Sequence, residues 1–284
     1  MTATDMRRYR IVHLTSVSYD GPVRAAHNEL RMTPASEPGQ TTLENRIRVK
    51  PMTWSHVYRD HWGTHTMEME SLAEHTSVEI EAISTVERTT IVRSVEGLTW
   101  DDLGDDILRD HQYEYLMQTD RTTPSAELSV LAAQVRHLSD PASAVEVVAE
   151  RIRAEMTYRR GVTQVHSRGV EAWSERTGVC QDFAHIALGV LRAAGIPARY
   201  VSGYLAPRTG LEPGESASGE SHAWVEYWND EWVPVDPTNG APVELEHVVV
   251  ARGRDYVDVP PFKGIYSGRA NGHLEVVVTI TRLA

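Results

Sequence analysis

The chain has 284 residues, of which 41% are hydrophobic, and this is enough to bury one large core or two of ordinary size. Asp and Glu total 40 against 28 Lys and Arg, which gives a formal net charge of −12. Because phosphate binding needs a basic stripe, nucleic acid is not expected as a partner.

The sequence contains one cysteine, Cys180. A single cysteine excludes an intrachain disulfide and any metal site with two cysteines, and we expect no cofactor. The N-terminal segment lacks the apolar stretch of a secretion signal, and no window approaches the roughly 18 apolar residues of a membrane span. We therefore expect no membrane partner and a cytoplasmic location, where a thiol stays reduced.

Apolar and polar residues alternate with period two from residue 7 to about residue 88. This pattern predicts strands, and turn-rich pieces at 20–22 and 34–40 separate them. We predict an N-terminal β-sandwich-like domain over 1–88. An acidic run and a polar RTTPS segment then predict a connector over 89–124.

Helical periodicity begins near residue 125. One predicted helix covers 140–161, with Asp140 as its N-terminal cap and Pro141 at its first position. Gly161 suits the left-handed end of that helix.

A further helical repeat begins at Cys180, and its apolar spacing predicts a buried helix that Gly195-Ile196-Pro197 ends. Strands follow it, so helices precede strands in an α+β arrangement, with helices packed on an antiparallel sheet over 125–284. The polar connection at 206–220 is long for a loop, which predicts a functional or mobile segment.

A helix that starts near Cys180 places the thiol where unpaired backbone N–H groups and the helix dipole present about half a positive charge. This environment favours the thiolate, and Gly178 leaves room for a substrate chain. The alternative is that the lone cysteine is a small apolar filler. A histidine and an orienting acid on neighbouring backbone would favour the nucleophile.

Two alternating runs around a polar turn in SHAWVEYWNDEWVPVDPTNG, residues 221–240, predict a β-hairpin. A two-residue loop places Asp236 opposite Ala223 and leaves His222 on the other face of the sheet. A three-residue loop at 229–231 makes His222 and Asp236 diagonal neighbours about 7–8 Å apart at the backbone. We predict the second register, which allows an imidazole–carboxylate hydrogen bond.

Each of these two residues also has a plainer explanation. His222 is compatible with an ordinary surface or core histidine, and Asp236 with a turn residue before a proline. The combination with Cys180, in this chain order, is harder to explain by packing alone.

Other candidate residues have weaker support. His185 lies five residues after the cysteine, roughly 140° around the helix, so it is not expected to be the base. Asp182 lies in the first helical turn, where acids are favoured for dipole reasons, and is predicted to be structural. His61 and His65 have metal-like spacing only in a helix, and their region has the pattern of a strand.

Two stretches carry a family resemblance. GVCQDFAHIALGVLRAAGIPARYVSGYL followed by HAWVEYWNDEWVPVDPT resembles the transglutaminase-like branch of the papain-type cysteine enzymes. The segments NELRMTP and DHWGTHTMEM resemble the N-terminal β-domain of bacterial members, and GRDYVDVPPFKG resembles their C-terminal segment. The resemblance implies that 125–284 is a papain/transglutaminase-like catalytic domain.

By this resemblance, Cys180 is the nucleophile, His222 the base that then protonates the leaving amine, and Asp236 the group that fixes the imidazole tautomer. The backbone N–H of the nucleophile would contact the oxyanion together with a second donor. Trp173 and Tyr158 are candidates for that donor, although core packing is the favoured role of each.

The implied chemistry is acyl transfer on a peptide or protein substrate, and three functions stay open. The favoured one is a cysteine peptidase or amidase that cleaves an amide or isopeptide bond through an acyl-enzyme. A transglutaminase or peptide ligase uses the same intermediate with an amine acceptor. The third is a non-catalytic peptide-binding module. The oligomeric state is not indicated by the sequence.

Overall fold

A computed structural model describes residues 5–91, 97–162, 166–207, 210–240 and 242–284. The strands, in chain order, are β1 Met6–Leu30, β2 Gln40–Lys50, β3 Trp54–Arg59, β4 His65–Ser71, β5 His75–Thr89, β6 Thr157–Tyr158, β7 Thr177–Gly178, β8 Ala198–Leu205, β9 Ser216–Trp228, β10 Trp232–Val235, β11 His247–Gly253, β12 Phe262–Ser267 and β13 Gly272–Arg282. The helices are α1 Asp106–His111, α2 Tyr113–Leu116, α3 Ala126–Val135, α4 Pro141–Glu155, α5 Gly169–Glu175 and α6 Cys180–Ala193.

A large antiparallel sheet of 11 strands runs through the molecule. The first part of β1 pairs with β5 and β13, and its last part pairs with β4 and β12. Val17 and Leu30, from these two parts, lie in one core with Met69 and Ile80, so the sheet curls over on itself. The predicted α+β class, with a sandwich-like N-terminal half, is confirmed. The domain boundaries at 88 and 124 stay a prediction.

The predicted turn at 20–22 lies inside β1. The pairing of β1 with β5 shifts register between Ser18 and Val23, and Ala25 has a left-handed backbone with φ 45°. Proline at 22 has no N–H for the ladder, which favours an irregular point in a strand. The sequence pattern therefore correctly predicted an irregular backbone at 20–22. The prediction that the strand ends there was wrong.

Helix α4 begins as predicted, since Asp140 accepts a hydrogen bond from Ser143 N at 2.8 Å and Pro141 is its first residue. It ends at Glu155, earlier than expected. Thr157 N donates instead to Arg176 O at 2.8 Å, because the chain changes to strand β6 beside β7. Gly161 has φ 77° in the turn that follows.

Helix α6 forms the centre of the second half. It is buried along nearly its whole length and packs against β8 and β9, which pair with each other and with β11 and β10. Gly195 ends it with φ 85°, as expected for the left-handed position after a helix. Residues 216–220, predicted as loop, extend β9 because Ser216–Gly219 pair with β13. No helix in the described ranges is long and apolar enough to cross a membrane.

A buried ion cluster fixes the loop after β1 to the sheet of the second half. Glu226, 4% exposed, accepts hydrogen bonds from Arg199 at 2.6 Å and Arg252 at 2.8 Å. Arg252 also donates to Glu37 at 2.6 Å. Burial alone would raise the pKa of Glu226, but Arg252 and Arg199 outweigh it and lower the pKa to about 2.

Glu226→Ala is expected to lower the free energy of unfolding by about 3–5 kcal/mol, because two buried guanidinium groups lose their shared anion. Urea unfolding followed by circular dichroism measures this change. Glu74→Ala is the matched control, since Glu74 pairs with Arg24 where both side chains are more than half exposed. Its effect should stay below about 1 kcal/mol, and equal losses in the two variants would contradict a role for the buried cluster.

Candidate active site

Cys180 is the first residue of α6 and is partly exposed. The helix begins here because the Asp182 carboxylate accepts a hydrogen bond from Val179 N at 2.8 Å, which occupies one of the N–H groups at the helix start. A Cβ at Gly178 would lie 2.8 Å from that carboxylate. Glycine at this position is therefore required by the cap, and Asp182 acts structurally. The backbone N–H of Cys180 has no acceptor within the helix.

The hairpin of β9 and β10 has the predicted three-residue loop. Trp228 pairs with Trp232 and Val225 with Val235, and Asp230 takes a left-handed backbone with φ 66° in the loop. The predicted register is confirmed. It places His222 Nε2 2.9 Å from Asp236 Oδ2.

The thiol of Cys180 is close enough to the imidazole of His222 to raise the pKa of that ring. Because Nε2 of His222 is occupied by Asp236, Nδ1 is the ring nitrogen left for the sulfur. His222 and Asp236 are 7% and 2% exposed, so the imidazole–carboxylate pair is shielded from water while the thiol is reachable. The structure thus brings the three residues named from the sequence together, with His222 next to both of the others.

The charge states of His222 and Asp236 depend on each other. Burial lowers the pKa of His222, but hydrogen bonds with Asp236 and Cys180 outweigh burial and raise the pKa to about 9. Burial raises the pKa of Asp236, but its hydrogen bonds with His222 and His247 outweigh burial and lower it. At neutral pH an imidazolium therefore lies between the sulfur and a carboxylate.

This raised pKa predicts a pH dependence of stability. An imidazole with an ordinary pKa of about 6.5 in the unfolded chain and about 9 in the folded one stabilises the fold fully below pH 6.5. That contribution, on the order of 1–3 kcal/mol, is lost as the pH rises from 6.5 to 9. Urea unfolding at several pH values measures it.

Two other buried histidines do not contribute to the change in stability above pH 7. Burial lowers the pKa of His13 to about 4 and that of His185 to about 3, so both are neutral there in the folded chain. The decline between pH 7 and 9 should become much smaller in His222→Gln. A decline of the same size in that variant would contradict the assignment.

The sequence did not indicate two further residues of the site, Asn239 and His247. Asn239 Nδ2 donates to Asp236 Oδ2 at 2.8 Å, and His247 Nε2 lies 3.3 Å from the same oxygen. Asn239 follows Asp236 by three residues in a turn, which a side-chain-capped turn pattern would have revealed. His247 opens β11 and reaches the site only through the pairing of β11 with β8, so no local pattern reveals it.

Trp173 and Tyr158, the candidate oxyanion donors, differ in position. Trp173 lies in the core, 3% exposed, and its indole N–H donates to Glu127 at 2.9 Å. Tyr158 lies in β6 beside Gly178, and its exposed ring faces Phe183 at 6.5 Å. A groove of about 450 Å³ is lined by Tyr158, Phe183 and Thr238 among others. It lies beside the start of α6.

The other histidines considered from the sequence have partners or positions of their own. His185 is fully buried below the helix start, where its Nε2 accepts a hydrogen bond from Tyr256 N at 3.2 Å. His61 lies in the turn before β4 and pairs with Glu114 at 3.1 Å, whereas His65 is the first residue of β4. The strand predicted for His65 is thus present.

His222, Asp236 and His247 place ligand atoms within 4.8 Å of one another, the one such group found among the described residues. Both imidazoles direct Nε2 at a single carboxylate oxygen, at 2.9 and 3.3 Å. These are hydrogen-bond distances, and hydrogen bonding accounts for the arrangement. The expectation that no cofactor is bound stays a prediction.

Comparison with known proteins places this arrangement in a family. The transglutaminase-like superfamily model matches residues 129–237, and the model of the bacterial transglutaminase-like N-terminal region matches residues 9–87. The chain belongs to the transglutaminase-like superfamily, in the bacterial form that carries this N-terminal region.

The chain is also similar to individual proteins. An uncharacterized protein of Mycobacterium leprae is 41% identical over 279 residues, which cover 98% of this chain and 100% of that protein. Protein-glutamine gamma-glutamyltransferase of Pseudomonas aeruginosa is 45% identical over 78 residues, or 25% of this chain and 11% of that protein. A crystal structure from Cytophaga hutchinsonii, provisionally described as a cysteine protease, has a TM-score of 0.74 at 21% identity over 98% of both chains. At that identity the likeness shows the fold alone.

Proposed function

We propose that the protein is a thiol-dependent acyl-transfer enzyme, and specifically a cysteine peptidase or amidase that cleaves amide or isopeptide bonds of a peptide or protein. One observation carries the proposal: His222 lies between the thiol of Cys180 and the buried carboxylate of Asp236. A nucleophile, a base and an orienting acid in this order are what covalent acyl transfer needs.

In the first half of the reaction, the sulfur of Cys180 attacks the substrate carbonyl carbon, and the carbonyl electrons move onto oxygen. The tetrahedral adduct then collapses, the C–N bond breaks, and His222 Nδ1 gives its proton to the leaving amine. A thioester with the sulfur remains. Asp236 holds the ring by Nε2, so that Nδ1 faces the reacting atoms throughout.

In the second half, water attacks the thioester carbon while neutral His222 accepts a proton from it. The adduct releases a carboxylic acid and restores the sulfur with its imidazolium partner. During both halves the oxyanion is stabilised by the backbone N–H of Cys180 at the start of α6, a kind of donor typically worth about 2.7–4 kcal/mol. Tyr158, next to Gly178 in the β6–β7 pair, is the candidate second donor.

An amine in place of water would give a transglutaminase or ligase. The 78-residue match to protein-glutamine gamma-glutamyltransferase of Pseudomonas aeruginosa favours this second candidate, but it covers only 11% of that protein. The third possibility, a silent binding module, has less support. Burying a charged imidazole–carboxylate pair costs free energy, and a surface that only binds a peptide has no need of it.

The test is to incubate the protein with a glutaminyl peptide and a peptide amide, each with and without a primary amine, and to follow the products by mass spectrometry. Free acid as the main product with amine present supports hydrolysis. Amine adducts in excess of free acid would assign the protein to the transferases. No product and no thioester with either donor would contradict the proposal.

A further inference from the structure

Asp236 has a second imidazole partner that the proposed reaction does not use. His247 is the first residue of β11, is 1% exposed, and lies 3.3 Å from Asp236 Oδ2 through its Nε2. Its ring meets Trp224 edge-on, with centroids 5.2 Å apart and planes at 78°. The rings of His222 and His247 are 5.9 Å apart. His247 is therefore fixed by packing beside the carboxylate.

The two oxygens of Asp236 have different partners. Oδ1 accepts from the backbone N–H groups of Thr238 and Asn239, at 2.9 and 3.2 Å. Oδ2 is approached by His222 Nε2, Asn239 Nδ2 and His247 Nε2, at 2.9, 2.8 and 3.3 Å. An ionised carboxylate only accepts hydrogen bonds, so His247 must carry its proton on Nε2 to take part. The reactive imidazole and His247 therefore share one anionic oxygen.

We propose that His247 is a positioning residue for the reaction: by donating from Nε2 to Asp236 Oδ2, it fixes the carboxylate and shares its charge with His222. This inference rests on the proposed function, in which His222 is the general base and acid. In this role His247 acts on the reaction through Asp236.

Sharing the carboxylate has a chemical consequence. An imidazolium paired with an unshared carboxylate is a weaker acid, because the undivided negative charge favours its protonated form. Among the described residues, the titratable groups that face His222 are Cys180 from α6, Asp236 from the turn after β10 and His247 from β11. Of these, His247 is the second imidazole that approaches the carboxylate oxygen of Asp236. It therefore keeps His222 acidic enough to protonate the leaving amine.

The test compares His247→Leu, which removes the donor, with His247→Gln, which keeps an N–H donor on a side chain of similar reach. In His247→Leu, kcat on a peptide amide should fall about tenfold, as expected for loss of a hydrogen bond to a charged group. KM should change little, because His247 does not line the groove beside the start of α6. The alkaline limit of activity should move to higher pH. His247→Gln should recover most of the rate and the original pH profile.

A purely structural role is distinguished by a matched variant. His13 is equally buried, 2% exposed, and bonds Tyr204 at 2.8 Å without reaching the site. His13→Leu controls for loss of a buried histidine, and thermal unfolding is measured for all variants. A shifted pH profile in His247→Leu but not in His13→Leu supports the inference. Identical profiles in His247→Leu, His247→Gln and the wild type would overturn it.

Alkylation of Cys180 by iodoacetamide provides a readout that needs no substrate. Cys180 is the only cysteine in the sequence, so thiol labelling reports on it alone. The rate of alkylation changes at the pH where His222 loses its proton. That pH should be higher in His247→Leu than in the wild type. If the wild type neither cleaves the substrate nor transfers the acyl group, the proposed function fails. The pH shift of the labelling rate still tests the role of His247 in that case. An Nε2 of His247 without a proton in imidazole ¹⁵N spectra would overturn the inference. Labelling that rises on addition of EDTA would also overturn it, by assigning the cluster to a metal ion.

Discussion

Replacing Cys180 with alanine is expected to lower kcat/KM on a peptide amide by about 10⁴-fold or more, to the level of the uncatalysed reaction plus whatever the oxyanion donors supply. The reason is that Cys180 supplies the sulfur nucleophile next to His222, and no other described side chain of the Cys180, His222 and Asp236 group can replace it. Product formation at matched enzyme concentration, followed by mass spectrometry, measures the loss.

Cys180→Ser is the isosteric companion of this variant. It keeps the shape of the helix start and a polar atom beside His222, but an alcohol is far less ionised than a thiol, so its activity should also be low. Both variants should keep the circular dichroism of the wild type, since the Asp182 cap of α6 is untouched. Activity within tenfold of wild type in Cys180→Ala would refute the nucleophile assignment.

The second large effect is expected for Asp236→Ala, with a loss in kcat of about 10⁴-fold. Without the carboxylate, the ring of His222 loses the bond at Nε2 that keeps Nδ1 directed at the sulfur. The loss of the anion also lowers the pKa of His222 from about 9, so the alkaline limit of activity should move to lower pH. A pH series of kcat/KM measures both changes.

Asp236→Asn separates these two contributions. It keeps a side-chain oxygen for His222 but removes the charge, so it should retain more activity than Asp236→Ala while showing the same downward shift of the alkaline limit. Asp230→Asn makes the same chemical change in the exposed hairpin loop and serves as the matched control. An unchanged pH profile in Asp236→Asn would show that the charge of Asp236 does not act on His222.

The parts of the site that could be predicted from sequence are those set by local geometry. The alternation of two strands and the length of the loop at 229–231 determine which residues share a face, and this was enough to place His222 beside Asp236. A glycine, a cysteine and an apolar 3.6-residue repeat were likewise enough to place Cys180 at the first residue of α6.

What could not be predicted depends on pairing between distant segments. His247 reaches Asp236 because β11 lies beside β8, which is separated from it in the chain by the whole hairpin. The curl of the sheet was likewise not visible, because the bend inside β1 looks like a turn between two strands when only neighbouring residues are considered. Alternation reports which face a residue occupies, and it carries no information about which strand lies next to it.

Strand β13 has a consequence for how the chain reaches this state. It lies between β1 and β9, and it pairs Arg282 with Tyr9 across almost the full sequence. Contacts between residues so distant along a polypeptide form slowly, because the entropy of closing the intervening loop is lost before the pairing compensates for it. We expect β1 and β5 to associate early and β13 to join late, so that α6 and its hairpin assemble before the two halves become one continuous sheet.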